Sequence, residues 1–137
     1  MTDLTVTAAK VGRVFPQNDE VISVKLYETV TAGQAAYQTT AGLFGLCDTN
    51  AAGLQQFRGV FLQGGGAGQT VPMLKRGCVE GLGVSSLNGD AVIYASDTAG
   101  ALADTAGTLT VIAGRVFVLP NGSKVAYIDA NWAYIWA

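Results

Sequence analysis

Along Val21-Ile22-Ser23-Val24-Lys25-Leu26-Tyr27, Ile22, Val24 and Leu26 alternate with Val21, Ser23, Lys25 and Tyr27. A period of two marks a strand with one covered face and one open face. Val11-Gly12-Arg13-Val14-Phe15 is similarly rich in β-branched and aromatic residues, and Pro16-Gln17-Asn18-Asp19 supplies a turn between the two. Further strands are predicted over Leu43–Cys47, Arg58–Leu62, Cys78–Val84, Ala91–Ala95, Leu109–Leu119, Val125–Asp129 and Trp132–Trp136. The breaks carry Asp48-Thr49-Asn50, Gly64-Gly65-Gly66, Asn88-Gly89-Asp90 and Asn121-Gly122. Both Asn-Gly pairs suit turns with positive φ. Helical evidence is confined to a single turn over Ala51–Phe57, weakened by Gly53. The expected class is therefore all-β: a compact β-sandwich or β-barrel with little helix. Gly81 and Gly83 fall in one expected strand and Gly77 directly precedes it, as at a bulge or bend in a curved sheet.

At 137 residues the chain has the length of one domain, and no repeat or linker divides it. Such a domain buries roughly 68% of the surface its unfolded chain exposes, enough for a core without metal or disulfides. Two ends stand apart from the single domain 1–137. Residues 1–10, polar apart from Leu4 and Val6, read either as an arm that adds to a neighbouring sheet or as the domain's own first strand or a disordered end. Residues 121–137 read as an added aromatic strand, with Trp132, Tyr134 and Trp136 on one face. That face would close the core, form an interface, or stack sugars.

Only 13% of residues are charged, against roughly 25% in ordinary soluble domains. Two explanations stand side by side: a surface partly covered by a partner, or a neutral surface of Ala, Gly and Thr. The eight basic residues are scattered and the net charge is −2, which argues against nucleic acid, whose phosphates demand a concentrated basic face. No apolar run reaches the ~20 residues of a membrane-spanning helix. Met1-Thr2-Asp3-Leu4 has neither a basic n-region nor an apolar h-region, so no signal peptide is expected. Cys47 and Cys78 lack redox or zinc spacing and read as two reduced, buried thiols.

Histidine is absent, and with it the usual base near neutral pH and the imidazole ligands of most zinc and iron sites. Gly64-Gly65-Gly66-Ala67-Gly68-Gln69-Thr70 lacks the lysine that a phosphate loop places before its hydroxyl and reads as a hairpin tip. Asp90, Asp97, Asp104 and Asp129 would bind Ca²⁺ only if their loops converged, and turn roles account for them. Glu20, Glu28 and Glu80 read as solvated charges rather than a catalytic pair. The expectation is a non-enzyme: no catalytic, metal or cofactor-binding residue, no cofactor and no small-molecule substrate.

From Gly33 to Leu119 the chain carries Gly42-Leu43-Phe44-Gly45-Leu46, Arg58-Gly59-Val60-Phe61-Leu62, Leu87-Asn88-Gly89-Asp90-Ala91-Val92-Ile93-Tyr94, Asp97-Thr98-Ala99-Gly100 and Ile112-Ala113-Gly114-Arg115-Val116. In these turn-and-strand motifs it resembles the capsid decoration, or cement, proteins of tailed bacteriophages. The resemblance covers roughly two thirds of the chain and leaves Asn121 to Ala137 unmatched. It implies a structural virion protein on the capsid exterior, made in the host cytoplasm. Such a protein would be a homotrimer that stabilises contacts between major capsid subunits, with no nucleic acid or membrane as partner. Candidate capsid or oligomer contacts are Thr2, Leu4, Val6, Trp132, Tyr134 and Trp136. The alternatives are another virion β-module (a head-fibre base, tail or receptor-binding piece) or a carbohydrate-binding module.

Overall fold

The computed structural model describes residues 2–136; Met1 and Ala137, the outermost residues of the expected arm and tail, lie outside them. The strands are β1 (Gly12–Arg13), β2 (Glu20–Lys25), β3 (Ala35–Gln38), β4 (Phe44–Leu46), β5 (Gly59–Phe61), β6 (Thr70–Glu80), β7 (Val92–Ala95), β8 (Leu102–Ala103), β9 (Ile112–Val118) and β10 (Lys124–Asp129). They form one antiparallel sheet in the order β4-β3-β5-β6-β10-β9-β7-β8, with β1 and β2 also paired to β6. The sheet curls into a half-barrel, in agreement with the all-β expectation. Its only helical piece among the described residues is the 3-10 turn Ala8–Lys10.

β6 is the spine. It pairs with β2 from Thr70 to Arg76, with β5 at Met73 and Leu74, with β10 from Arg76 to Val79, and with β1 at Val79 and Glu80. The two ends of the curled sheet meet through backbone bonds. Gly100 N donates to Cys47 O (2.8 Å), Ala35 N to Gly100 O (2.8 Å) and Thr49 N to Ser96 O (3.1 Å). Inside lie Phe57, Val60, Leu74, Val79, Ile93, Leu102 and Ile128, with a second cluster around Leu26, Phe44, Phe61 and Met73. Cys47 and Cys78 are free thiols, both buried. Burial pushes the Cys47 thiol up to about 12, which leaves it protonated and inert.

Several boundaries differ from the sequence expectation. The strand expected over Cys78–Val84 ends at Glu80 but begins back at Thr70. Gly81 and Gly83 take φ of +91° and +74°, and the backbones of Lys10 and Thr5 occupy the space a side chain would need there. Upstream, Pro72 forgoes one ladder donor while its carbonyl accepts from Leu62 N (3.0 Å). β3 and β8 had no signal, because Ala35, Ala36 and Ala103 carry no β-branched or aromatic side chain. Of the two Asn-Gly turns, one puts positive φ on Gly122, but the other puts it on Asp90 rather than Gly89.

The N-terminal segment docks on its own domain. Leu4 N donates to Leu102 O (2.8 Å), Asp104 N to Thr2 O (3.0 Å) and Thr7 N to Gly81 O (2.9 Å). The Ser96 hydroxyl bonds Asp3 Oδ1 at 2.5 Å. Leu4 and Val6 pack against the main core. The strand expected at Trp132–Trp136 does not form. Asn131 folds the chain into a turn, its Oδ1 accepting from Ala133 N (3.3 Å) and its carbonyl from Tyr134 N (3.1 Å).

Candidate functional site

Register decides which side chains leave the sheet. In β10, Ala126 and Ile128 point inward, so Tyr127 between them points out. Tyr127 pairs with Arg115 of β9 on one side and Cys78 of β6 on the other, while Phe117 of β9 pairs with Val125. A fourth element lays Phe15 across this face. Arg13 grips Asp19 with two bonds (Nε–Oδ2 2.6 Å, Nη2–Oδ1 2.7 Å) and donates to Pro16 O (3.1 Å). Asn18 N also donates to Phe15 O (3.0 Å), closing the turn. The turn rests on β6 at Gly77, where an added Cβ would collide with the Asp19 side chain.

The result is an exposed aromatic patch. Phe15 and Phe117 meet edge-on, 6.3 Å between centroids at 66°. Phe15, Phe117 and Tyr127 are 38%, 42% and 37% exposed, unusual for neighbouring aromatic side chains on one sheet face. Phe15, Phe117 and Tyr127, together with Asn18, surround an open hollow of about 280 Å³ floored by Gly77 and Cys78. Beyond Tyr127 a second hollow, about 240 Å³, runs past Ile112, Arg115, Asp129 and Asn131 to Trp136.

Ion pairs border the patch. Arg76 joins Asp129 (2.9 Å) and Glu20 (3.2 Å), and Lys75 reaches Glu20 (3.4 Å). Hydrogen bonding to Asp129 and Asp19 raises the Arg76 and Arg13 guanidinium pKa values respectively. Burial, with a smaller contribution from Asp129, raises the Tyr127 phenol. These charges neutralise one another locally, so the aromatic patch carries no strong field of one sign.

The six contact candidates named from sequence fall in two other places. Thr2, Leu4 and Val6 lie near β8: Thr2 is exposed, its N–H held by Asp104 Oδ1 (3.1 Å), while Leu4 and Val6 are half-buried. Trp132 turns back onto the domain. Its indole N–H donates to Arg58 O (2.8 Å), its ring lies 6.2 Å from Phe44, and Lys75 Nζ sits 5.4 Å above it. Tyr134 and Trp136 contact each other at 4.5 Å, and Gln56 bonds both backbone groups of Trp136 at 2.8 Å. The Trp136 indole nitrogen is buried without an acceptor among the described residues. The three tail aromatics therefore do not make the single-faced strand expected.

Among the described residues no three acidic or thiol groups gather as a metal site. Asp97 instead accepts from the hydroxyls of Thr49 (2.6 Å) and Thr108 (2.8 Å) and from Thr108 N (2.9 Å), which lowers its pKa. No helix among the described residues is long and apolar enough to cross a membrane.

Phe15, Phe117 and Tyr127 were not singled out from sequence. The alternation Val116-Phe117 and Ala126-Tyr127-Ile128 carried the signal for two of them, since Tyr127 falls between two buried positions and Phe117 follows one. Phe15 had none, because its place depends on the Arg13–Asp19 clasp. Comparison with protein-family models, with curated proteins and with solved structures finds no match for this chain.

Proposed function

We propose that this chain is a structural virion protein that decorates the outside of a bacteriophage head, binding the major capsid protein as a homotrimer and stabilising contacts between capsid subunits. The observation that carries the reading is the exposed Phe15–Phe117–Tyr127 patch on a sheet already closed by its own hydrogen bonds. A surface of that kind suits attachment: aromatic side chains give large contact area at low entropic cost and dominate binding energy in interfaces. The motifs behind the resemblance fall on framework elements. Arg58–Leu62 spans β5, Leu87–Tyr94 is the turn entering β7, and Ile112–Val116 lies in β9. Three copies joined in one trimer would engage several shell subunits together and gain avidity without new contacts.

The test is cosedimentation of the purified protein with expanded, undecorated phage capsids, alongside light scattering of the protein alone. Binding to shells by a trimer, weakened about tenfold or more by Phe117→Ser, is the expected result. A strict monomer that ignores shells would overturn the proposal.

A further inference from the structure

We infer that Asn88 is a site of covalent self-modification by deamidation, and that the chain's other Asn-Gly pair, Asn121-Gly122, is protected by its turn. In this reaction the backbone nitrogen of Gly89 gives its proton to hydroxide and attacks Cγ of Asn88. The new C–N bond closes a five-membered succinimide; the bond to the side-chain nitrogen breaks, and that nitrogen leaves as ammonia after taking a proton from water. Water then adds to either ring carbonyl and opens it, leaving an aspartyl or isoaspartyl residue at position 88. One water enters and one ammonia departs, with no oxidation or reduction.

Glycine after asparagine favours the attack because no Cβ obstructs the nitrogen or restricts the backbone. Asn18, Asn50 and Asn131 are followed instead by Asp19, Ala51 and Trp132. Both Asn-Gly pairs qualify by sequence, and hydrogen bonding separates them. At the β9–β10 hairpin, Gly122 N donates to Leu119 O at 2.8 Å, and Asn121 Oδ1 accepts from Ser123 N at 3.0 Å. The nucleophile and the amide it must reach are each held elsewhere. At the other pair, Asn88 and Gly89 are exposed, and neither the Asn88 side chain nor the Gly89 N–H has a hydrogen-bond partner among the described residues. The flanks of that turn are nevertheless anchored, Leu87 O by Lys124 Nζ (2.6 Å) and Asn88 O by Ala91 N (3.1 Å). The added carboxylate would appear two residues from Asp90, whose carbonyl Arg115 holds at 2.9 Å. The inference is independent of the function proposed above.

The experiment incubates the folded full-length chain in mildly alkaline buffer and follows each asparagine by peptide mass spectrometry, reading the replacement of NH2 by OH. Two hydrogen bonds must break at Asn121 and none at Asn88, so Asn88 should convert about tenfold or more faster. Its rate should climb with hydroxide concentration. In urea the two rates should converge, because the turn that protects Asn121 is gone. Asn88→Gln should remove the fast phase and leave the slow one. Equal rates in the folded chain, a faster Asn121, or an Asn121 rate that unfolding does not change would each overturn the inference.

Discussion

Two sets of aromatic side chains lie on the half-barrel, and they are held in opposite ways. The tail set is fastened to its own domain: Trp132 fills space beside Phe44 and gives its N–H to Arg58 O, and Gln56 binds the backbone of Trp136 at both donor and acceptor. The outer set of Phe15, Phe117 and Tyr127 is positioned by neighbours but left between 37% and 42% exposed. Aromatic content alone does not separate the two. What separates them is the fate of the polar groups. The Trp132 indole and the Trp136 backbone find partners at home, though the Trp136 indole finds none among the described residues, and each bond made there adds stability. An apolar surface left open on a rigid sheet gains only when something else covers it.

The largest way to break this comparison is Trp132→Ala. Removing a packed indole and orphaning Arg58 O should cost about 3 kcal/mol of unfolding free energy, read from the urea midpoint. A loss under about 0.5 kcal/mol would mean that the tail is only laid on the surface.

Next in size is Gly77→Ala. Its φ of +143° and the contact with Asp19 leave no room for a methyl group, so the Arg13–Asp19 clasp must open. The expected cost is about 2 kcal/mol, with Phe15 released from Phe117. Ring-current shifts of the two phenylalanines in proton NMR report that release directly. Retained shifts in a folded variant would show that Phe15 does not depend on the clasp.

Phe117→Ser should change stability by less than about 0.5–1 kcal/mol, since the side chain is already 42% exposed. Paired with Trp132→Ala it sharpens the contrast: the tail variant should lose stability, and the face variant should keep it. A large loss of stability in Phe117→Ser would move the outer set into the core.

The same contrast explains how much was legible beforehand. Strands with period-two alternation, such as β2 and β10, follow from local pattern because one face is covered and the other is not. β3 was silent, since a strand buried through Ala35, Ala36 and Tyr37 shows no alternation. The three tail candidates, Trp132, Tyr134 and Trp136, were chosen for their aromatic alternation, which says nothing of where a chain turns. Asn131 reverses the tail with one side-chain bond, and the Arg13–Asp19 pair carries Phe15 over β6. Both are non-alternating devices whose effect depends on what lies beneath them. For that reason the sheet was mostly readable while the exposed patch was not.

The smallest effect concerns the loop end that closes the half-barrel away from the aromatic face. Asp97 ties the turn at Thr49 to the loop at Thr108, and these donors favour its ionised form, so its folded pKa lies below the ordinary value of 3.8. The sign follows from linkage: a depressed carboxylate adds stability that is complete above the unfolded pKa. That contribution shrinks as pH falls below about 4 and is gone once pH passes under the folded value. Asp97→Asn cannot titrate. It should therefore melt lower than the wild type near neutral pH and converge with it in acid, as thermal denaturation across a pH series would show. A constant gap at every pH would mean that Asp97 acts by shape alone, through the contact that a side chain on Gly107 would meet. Phe117→Ser, with no titrating group removed, should track the wild type across the whole series, which keeps the exposed aromatic face and the closing loops distinct as physical parts.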